Sequence, residues 1–406
     1  MLISLHVPAQ DTLRFSMPQA EKQFLEKNLY VLTAQLDVEA QKALEIQARL
    51  YPNPIFSTEL NAVNPQDRKL FQVSGNGQKA FAIEQLLLLG GKKSAELALA
   101  KTNTTLVRRQ LEDLLRNLKF QLYSNMYSVY FDRQVLPQYD RQLHQLDTLI
   151  NLFEEQAYKG NIALRDVVRL KTAYIKLNNE KTDLLQSIQA QQRNLQVLLQ
   201  TSAYVVPDLS SVNWQRFETL VSLDSLIQLA YQNRADWKMA ELQQDLAAFN
   251  VRYQRSLAVP DLSVGAAYDQ NGGAFRNQVN LTFGLPLPFW NRNQGNIQHA
   301  RVQTKIVETA QQVKQSEINA EITEAWSNMR RSIQEHQKVR AIYNSDFSEV
   351  LNGINENFRK RNISLIEFID FFESYNESLA EMNRVRKQLL LSAEQINYTI
   401  SYPLYK

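Results

Sequence analysis

Glycine and proline constrain this chain more than any other residues, because they are the ones that most often end helices. The 406 residues include 11 glycines and 11 prolines, and long segments contain neither, among them 92–136, 161–206, 208–259 and 296–352. An uninterrupted helix over such a segment would be roughly 70–85 Å long at 1.5 Å per residue, whereas helices of globular domains average about a dozen residues. The sequence therefore predicts exceptionally long helices.

The apolar residues of the first segment have the spacing of a coiled coil. They step by three or four along Leu111, Leu115, Leu118, Leu122, Met126 and Val129. This spacing places one apolar stripe along a helix, with polar residues on the other faces. Pro137 follows the segment, and we expect it to interrupt this helix by kinking it or breaking its hydrogen-bond ladder locally.

Two other zones have the two-residue alternation of strands. The alternation runs through Phe81, Ile83 and Gln85 in one zone, and through Val279, Leu281 and Phe283 in the other. Each strand run is about 10–12 residues long, which is the length of a tilted strand that crosses an outer membrane. The chain has no run of about 18 apolar residues, so a membrane crossing would use strands. Because an isolated hairpin would leave strand edges unpaired in lipid, two hairpins per chain predict closure with other copies.

The composition excludes several classes of protein. Hydrophobic residues make up 44% of the chain and charged residues 21%, with a mean hydropathy of −0.38, which argues against wholesale disorder and against helical membrane spans. A net charge of +3 gives no reason to expect nucleic-acid binding. The absence of cysteine excludes disulfides, thiolate metal sites and cysteine nucleophiles.

No group of residues predicts an enzyme, a cofactor or a metal site. The four histidines, His6, His144, His299 and His336, lie at no metal-ligand spacing, and we expect each to be a solvated helix or loop residue. The sequence contains neither a nucleophile elbow nor a glycine loop that would bind phosphate.

The order of elements indicates an internal duplication. Gly160-Asn-Ile-Ala-Leu-Arg-Asp166 matches Arg361-Asn-Ile-Ser-Leu-Ile-Glu367 at an offset of about 201 residues. The predicted division is a signal-peptide remnant or disordered terminus at 1–12, a first repeat at 13–205, a second repeat at 206–402 and a tail at 403–406. The repeats contain β-hairpins at about 51–89 and 259–288, and helical hairpins with tips at about 158–164 and 358–365.

Three motifs carry a resemblance to a known family. They are the amphipathic helix followed by two prolines at 47–54, the Gly90-Gly91-Lys92-Lys93 turn into a long helix, and the segment 284–297, which reads GLPLPFWNRNQGNI. Each recurs where TolC-type outer-membrane efflux proteins have it, and the third has the form seen in CzcC-like members. The resemblance covers the chain from about Leu13 to Tyr402.

The resemblance implies a particular assembly. The fold class is mixed α and β, consisting mainly of long α-helices. Three copies with four strands each would form a trimeric 12-stranded outer-membrane β-barrel, which would continue into a periplasmic α-helical barrel. Residue spacing alone does not predict the number of copies.

Acidic residues past the second tip match the family's periplasmic constriction. Glu367 and Asp370 lie on one helix face at i,i+3, and Glu373 continues that face. In a trimer each carboxylate becomes a ring of three that attracts cations and repels its neighbours. Asp166 and Arg169 occupy the comparable face of the first half and are predicted to pair with the neighbouring hairpin. The alternative for all five residues is a solvated face of a coiled coil.

The tips and the strand ends are the remaining predicted sites. The tips are expected to contact a periplasmic adaptor; Gly160 has the family's glycine, whereas Arg361 replaces it and favours an adaptor with an acidic or polar tip. The predicted tip contacts are Tyr158, Gly160, Asn161, Ile162, Ala163, Leu164, Phe358, Arg361, Asn362, Ile363, Ser364 and Leu365. The predicted aromatic belt at the membrane interface consists of Tyr51, Phe56, Tyr268, Phe289 and Trp290.

The resemblance predicts a passive exit duct of a three-part efflux system. Its partners would be two further copies of the chain, outer-membrane lipid, an adaptor and an inner-membrane pump of the resistance-nodulation-division class, with no nucleic acid. The CzcC-like turn favours heavy-metal cations as cargo. Drug efflux and type I protein secretion remain alternatives, as does a soluble periplasmic coiled-coil scaffold or adaptor.

Overall fold

A computed structural model of the chain describes residues 11–64, 68–75, 77–210, 214–272, 274–342, 347–360 and 362–405. The helices are α1 (Met17–Lys27), α2 (Leu29–Arg49), α3 (Lys92–Tyr158), α4 (Leu164–Leu199), α5 (Leu223–Asn233), α6 (Ala235–Ser256), α7 (Gln294–Ile342), α8 (Phe347–Arg359) and α9 (Leu365–Ile400). The strands are β1 (Thr12–Ser16), β2 (Ile55–Leu60), β3 (Val63–Asn64), β4 (Lys69–Leu70), β5 (Gln78–Leu87), β6 (Tyr204–Asp208), β7 (Leu262–Asn271) and β8 (Phe275–Gly284).

One four-stranded sheet joins the two predicted β-hairpins. Its order is β2-β5-β7-β8, and every neighbouring pair is antiparallel. The register places Phe56, Ile83, Ala266 and Leu281 side by side across the sheet. No other strand in the described ranges pairs with the outer edge of β2 or of β8.

Two smaller sheets complete the strands. β1 pairs in parallel with β6, so that Phe15 lies opposite Pro207. β3 pairs with β4 between the two strands of the first large hairpin. The predicted signal-peptide remnant lies outside the described residues up to position 10, and Thr12 begins β1.

The longest helix continues through its proline. α3 is 67 residues long and contains Pro137, so this proline does not end the helix, and the kink or local loss of hydrogen bonding stays a prediction. A proline removes one backbone hydrogen bond. Buried side chains on both sides of it, Phe131 and Leu143, keep both flanks packed and hold the helix together across the gap.

The glycine- and proline-free segment 208–259 is not one helix. A 3₁₀ turn at Trp214–Glu218 is followed by α5 and α6, which are separated at Arg234. Arg234 has an extended backbone and is only 1% exposed; its Nη1 donates to Glu321 Oε2 at 2.7 Å and to the Thr399 carbonyl at 3.0 Å. Burying this guanidinium against residues distant in sequence determines where α5 ends.

The chain divides into two compact units. Unit 1 contains the described residues of Met1–Thr33, Glu112–Ala235 and Ser316–Lys406, and unit 2 contains Ala34–Leu111 and Asp236–Gln315. The large sheet belongs to unit 2, and the α3–α4 and α8–α9 turns belong to unit 1.

An apolar core in unit 1 joins the helices on both sides of these two turns. Its buried members come from α3, α4 and α9, and half-buried residues of α8 pack against them. The core consists of Leu143, Leu146, Ile150, Leu170, Ala173, Leu177, Phe368 and Phe372. It holds the two helical hairpins together next to their turns.

Candidate functional site

The turn between α3 and α4 is closed by a glycine. Gly160 has φ +77°, a backbone conformation that only glycine adopts without strain. Its N–H donates to the Ala157 carbonyl at 3.0 Å, and the Asn161 N–H donates to the Gln156 carbonyl at 2.9 Å. These two bonds form a Schellman motif, which satisfies the last carbonyls of α3.

The turn between α8 and α9 repeats one of these two backbone bonds. The Asn362 N–H donates to the Asn357 carbonyl at 2.9 Å, which is the counterpart of the Asn161 bond. The two asparagine side chains also act alike: Asn161 Nδ2 donates to Gln156 Oε1 at 2.9 Å, and Asn362 Nδ2 to Asn357 Oδ1 at 3.1 Å. The asparagine common to both tips therefore ties each turn to the helix before it. Arg361, predicted as an adaptor contact, lies outside the described residues.

The two tips differ in what they expose. Tyr158 is 94% exposed and Leu164 75%, so the first tip presents apolar side chains to solvent. At the second tip Phe358, Ile363 and Leu365 are partly buried against the apolar core. Phe358 stacks on Phe368 with ring centroids 4.4 Å apart. Of the other predicted contacts, Ile162 is half-buried, whereas Ala163, Asn362 and Ser364 are exposed.

A capping box begins α9. The Ser364 side chain accepts from the Glu367 N–H at 3.3 Å, and the Ser364 N–H donates to Glu367 Oε2 at 2.7 Å. These bonds from Ser364 lower the pKa of the Glu367 carboxyl below its ordinary value. Glu367 is therefore an exposed, ionised residue that also stabilises the start of its helix.

The other predicted gate residues have different surroundings. Asp370 is exposed and has no ion-pair partner among the described residues, whereas Glu373 lies 3.5 Å from Lys176 Nζ of α4. In the first half, Asp166 is 3.9 Å from its neighbour Arg165, and Arg169 is exposed. No ion pair of the described chain joins Asp166 or Arg169 to α8 or α9, so their pairing with another hairpin stays a prediction.

The large sheet has one mainly apolar face, which also carries Thr58 and Gln85, and one mainly polar face, which also carries Ile55. The cross-strand register assigns Phe56, Phe81, Ile83, Val264, Ala266, Val279, Leu281 and Phe283 to one face. It assigns Ser57, Glu59, Glu84, Ser263, Asp269, Gln278, Asn280 and Thr282 to the other, together with alanines and Gly265. Most large side chains of the apolar face are exposed in the single chain. The face therefore presents a strip of apolar surface whose exposure to water is energetically unfavourable.

The predicted belt aromatics lie on the apolar face or at the strand ends. Phe56 and Tyr268 are on the apolar face, where both stack with Phe81 at 6.4 Å between ring centroids. Tyr51 precedes β2, and Phe289 and Trp290 follow β8; all three are exposed. Their role in a lipid interface remains a prediction.

A buried ion pair at the end of the sheet was not predicted. Lys92 Nζ at the start of α3 contacts Asp261 Oδ1 at 2.5 Å and donates to the Val259 carbonyl at 2.6 Å. Asp261 Oδ1 also accepts from the Leu89 N–H at 2.9 Å. Gly90 has φ +70°, and an added Cβ would lie 2.6 Å from Val259 Cβ. The Gly-Gly-Lys-Lys run was a signal in the sequence, but nothing in it indicated the partner.

The histidines form no metal site in the described residues. No group of three or more His, Cys, Asp or Glu side chains there has metal-binding geometry. His144 and His299 are exposed as predicted, and His6 lies outside the described residues. The prediction is wrong for His336, which is largely buried with Nδ1 3.1 Å from Glu218 Oε1, because the 3₁₀ turn at Trp214–Glu218 brings Glu218 beside it. Burial lowers the pKa of His336.

Within the described ranges, no helix has both the length and the apolar character needed to cross a membrane. Long paired helices, a sheet with one mainly apolar face and two repeated helical tips are features that the resemblance to TolC-type outer-membrane efflux proteins implies. A family model described as "Outer membrane efflux protein" matches residues 226–346. Over this stretch the chain is similar to that family, whose members are channels rather than enzymes.

Comparison with known proteins supports the same conclusion. The cobalt-zinc-cadmium resistance protein CzcC of Cupriavidus metallidurans is 22% identical over 275 residues, which are 67% of this chain and 63% of CzcC. The alignment thus spans less than two thirds of that relative. A membrane protein of Pseudomonas aeruginosa has the same fold, with a TM-score of 0.76 at 14% identity over 95% of this chain and 90% of its own. CusC superposes with a TM-score of 0.70 at 14% identity, over 98% and 95% of the two chains. The predicted CzcC-like resemblance is confirmed.

Proposed function

We propose that this chain is one protomer of a trimeric exit channel that passively conducts substrate through the outer membrane. The observation that carries the proposal is the four-stranded sheet with one apolar face and two unpaired edges. Lipid tolerates the apolar face but not the unpaired edges.

The strand directions support closure between copies. Because all neighbours in the sheet are antiparallel, β2 and β8 run in opposite directions. β8 of one copy therefore meets β2 of the next as an antiparallel neighbour, and the ring closes without a parallel pair. The number of copies, three, and hence the 12 strands, comes from the family resemblance. The apolar face would meet lipid, and the polar face would line the pore.

The repeated tips support the internal duplication and a periplasmic position for the helices. The two turns share one backbone hydrogen bond, one side-chain hydrogen bond and their asparagine at an offset of about 201 residues. In the proposed channel they form the periplasmic end and meet the adaptor, which links the channel to the inner-membrane pump. The exposed Tyr158 and Leu164 make the first tip the more apolar contact.

The proposed gate consists of rings of Glu367 and Asp370. Both carboxylates are exposed, and the described chain provides no ion-pair partner for Asp370. Glu373 and the Asp166–Arg169 pair belong to the proposed gate as well, although Lys176 already reduces the charge at Glu373. Three copies of each acid around a narrow pore would attract cations. The resistance named for CzcC makes divalent metal cations the proposed cargo and a pump of the resistance-nodulation-division class the proposed partner.

Planar-bilayer recording tests the proposal. We expect the purified protein to give a small, cation-selective conductance that divalent cations block. The variants Glu367→Gln and Asp370→Asn should raise the conductance or remove the block. Glutamine is chosen because it retains the capping bond to Ser364 while removing the charge. Glu356→Gln, an exposed carboxylate of α8 paired with Lys360 at 3.3 Å, is the matched control and should leave the conductance unchanged.

The outcomes separate the parts of the proposal. No conductance from folded protein would overturn the channel and favour a scaffold. A conductance that neither variant changes would support the proposed channel but refute the proposed gate. An anion-selective pore would exclude metal cations as cargo and favour drug efflux or protein secretion.

A further inference from the structure

A polar cavity lies among α3, α7 and α9 within unit 1. Its volume is about 490 Å³, which falls in the range of roughly 300–1,000 Å³ that is typical of small-molecule sites. Nine of its 12 lining residues are polar, and each of the three helices contributes four of the 12. A space of this size between packed helices is far larger than the voids of an ordinary core, which rarely exceed a water molecule.

The cavity exists because each helix turns a polar face toward its neighbours. On α3, Ser124 and Ser128 line the cavity four residues apart, on a different face from the buried Leu122 and Met126. The lining residues of α7 and of α9 have the same helical spacing, at i, i+3, i+4 and i+7. Small and polar side chains at these positions leave a space that leucine would fill in a packed core.

Contacts between the helices hold the space open in a single chain. The rings of Phe120 on α3 and Tyr398 on α9 lie 4.8 Å apart between their centroids. The hydroxyls of Ser332 on α7 and Ser392 on α9 form a buried hydrogen bond of 2.8 Å. A ligand would therefore enter a preformed cavity, which reduces the cost of ordering the protein around it.

Several lining side chains have unused hydrogen-bonding capacity. Those of Ser128, Glu324 and Gln395 form no hydrogen bond or ion pair within the described part of the chain. Ser124 Oγ is shielded from solvent and also has no partner there. An unpaired hydroxyl in such a place is unfavourable, and rotation about its single χ1 turns it toward a bound molecule. The lining therefore offers both donors and acceptors to a polar ligand.

The charge of the cavity favours a ligand with one positive charge. Two carboxylates line it, Glu321 and Glu324. Glu321 Oε2 already accepts from Arg234 Nη1 at 2.7 Å, whereas Glu324 is exposed and unpaired among the described residues. No lysine, arginine or histidine is among the described residues that line the cavity. One uncompensated negative charge thus remains, at Glu324.

The size of the cavity favours an organic cation over a bare metal ion. No group of three or more His, Cys, Asp or Glu side chains in the described ranges has metal-binding geometry. An ammonium group, in contrast, needs one carboxylate and a few neutral acceptors, which the serines and Gln395 provide. The remaining polar lining suits hydroxyl groups, since hydroxyls both donate and accept.

We propose that the cavity among α3, α7 and α9 binds a small hydroxylated amine, such as an amino sugar. Glu324 pairs with the ammonium, and Ser124, Ser128 and Gln395 bond the ligand's polar groups. The site goes beyond the proposed function, because all its residues belong to one copy of the chain and it requires neither the sheet nor a pore. The conductance experiment can therefore fail while the site stands, and the reverse.

Calorimetric titration of the full-length protein in detergent with D-glucosamine tests the site. At about pH 6 the sugar amine is protonated. We expect saturable binding with a Kd of about 1 mM, and at least about tenfold weaker binding of D-glucose, which has the same ring and hydroxyls but no amine. Glu324→Gln should weaken glucosamine binding at least about tenfold, and Ser128→Leu should do so by filling the cavity. Glu308→Gln, an exposed and unpaired carboxylate of α7 outside the cavity, is the matched control and should bind as the unmodified protein does.

Each contrary result overturns a defined part of the inference. No saturable binding by folded protein, verified by circular dichroism, would refute the site. Unchanged glucosamine binding in both Glu324→Gln and Ser128→Leu would place any bound sugar elsewhere. Equal affinity for glucose and glucosamine would refute recognition of the amine. Binding of zinc or cobalt ions that Glu324→Gln abolishes, without glucosamine binding, would replace the amine site with a metal site.

Discussion

At the scale of single residues, Lys92 shows how one charge holds a strand end in place. Its side chain is almost fully buried at the start of α3, next to a turn that requires Gly90. The ammonium bonds Val259 and Asp261, and Asp261 in turn accepts from Leu89. Both inner strands of the sheet therefore meet at one ion pair.

Replacing Lys92 should destabilise the protein far more than replacing its neighbour. Lys92→Met leaves the Asp261 carboxylate without its counterion, at an expected cost of about 2–4 kcal/mol in the free energy of unfolding. Lys93→Met removes only a local pair with the partly exposed Glu96, at an expected cost of about 0–0.5 kcal/mol. Urea denaturation in detergent measures both, and equal losses would contradict the ion pair's role. Asp261→Asn should cost little in the Lys92→Met background.

At the scale of elements, the start of α9 combines a structural and a functional group. Glu367 completes the capping box with Ser364, and its neighbour Phe368 lies in the apolar core. The exposed carboxylate and the buried ring are thus held on the same helical turn. The proposed gate charge is positioned by the core behind it.

The cap should weaken in acid. The pKa of Glu367 is lowered in the folded chain, so its ionised form stabilises the helix start at pH values above the ordinary glutamate pKa. This contribution is lost as the pH falls through the lowered pKa. We expect amide protection at residues 365–369, corrected for intrinsic exchange, to decrease between about pH 6 and about pH 3. Glu367→Gln, which cannot titrate, should show no such decrease; the same decrease in this variant would assign it to another group.

At the scale of the whole molecule, the sheet provides a test of which face meets lipid. Leu281 lies on the apolar face of β8, and its neighbour Asn280 lies on the polar face. Leu281→Lys should reduce the yield of folded protein in liposomes and cost about 2–4 kcal/mol if it lies near the bilayer midplane. Asn280→Lys should fold normally and reduce cation selectivity instead. Conductance and urea titration distinguish these effects; equal destabilisation by both variants would refute the two-faced sheet.

Features that depend on nearby residues could be read from the sequence. The long helices over 92–136 and 296–342 follow from the absence of glycine and proline, and the alternation at Phe81–Gln85 and Val279–Phe283 follows from the two-residue period of strands. The matched tips were visible because their turns are held by bonds within about five residues, as at Asn161 and Gln156. The family motifs then supplied the class of protein.

Features that depend on distant residues were determined only by the tertiary structure. Arg234 ends α5 because Glu321 and Thr399 receive its guanidinium, and His336 is buried because Glu218 lies beside it. The position of Glu373 in the sequence predicts a gate residue, yet Lys176 of another helix lies next to it. The sequence by itself determined the types of element and the polarity of their faces, since both depend on local periodicity. Packing between segments that no local pattern relates decided which charges meet and which apolar faces stay exposed to solvent.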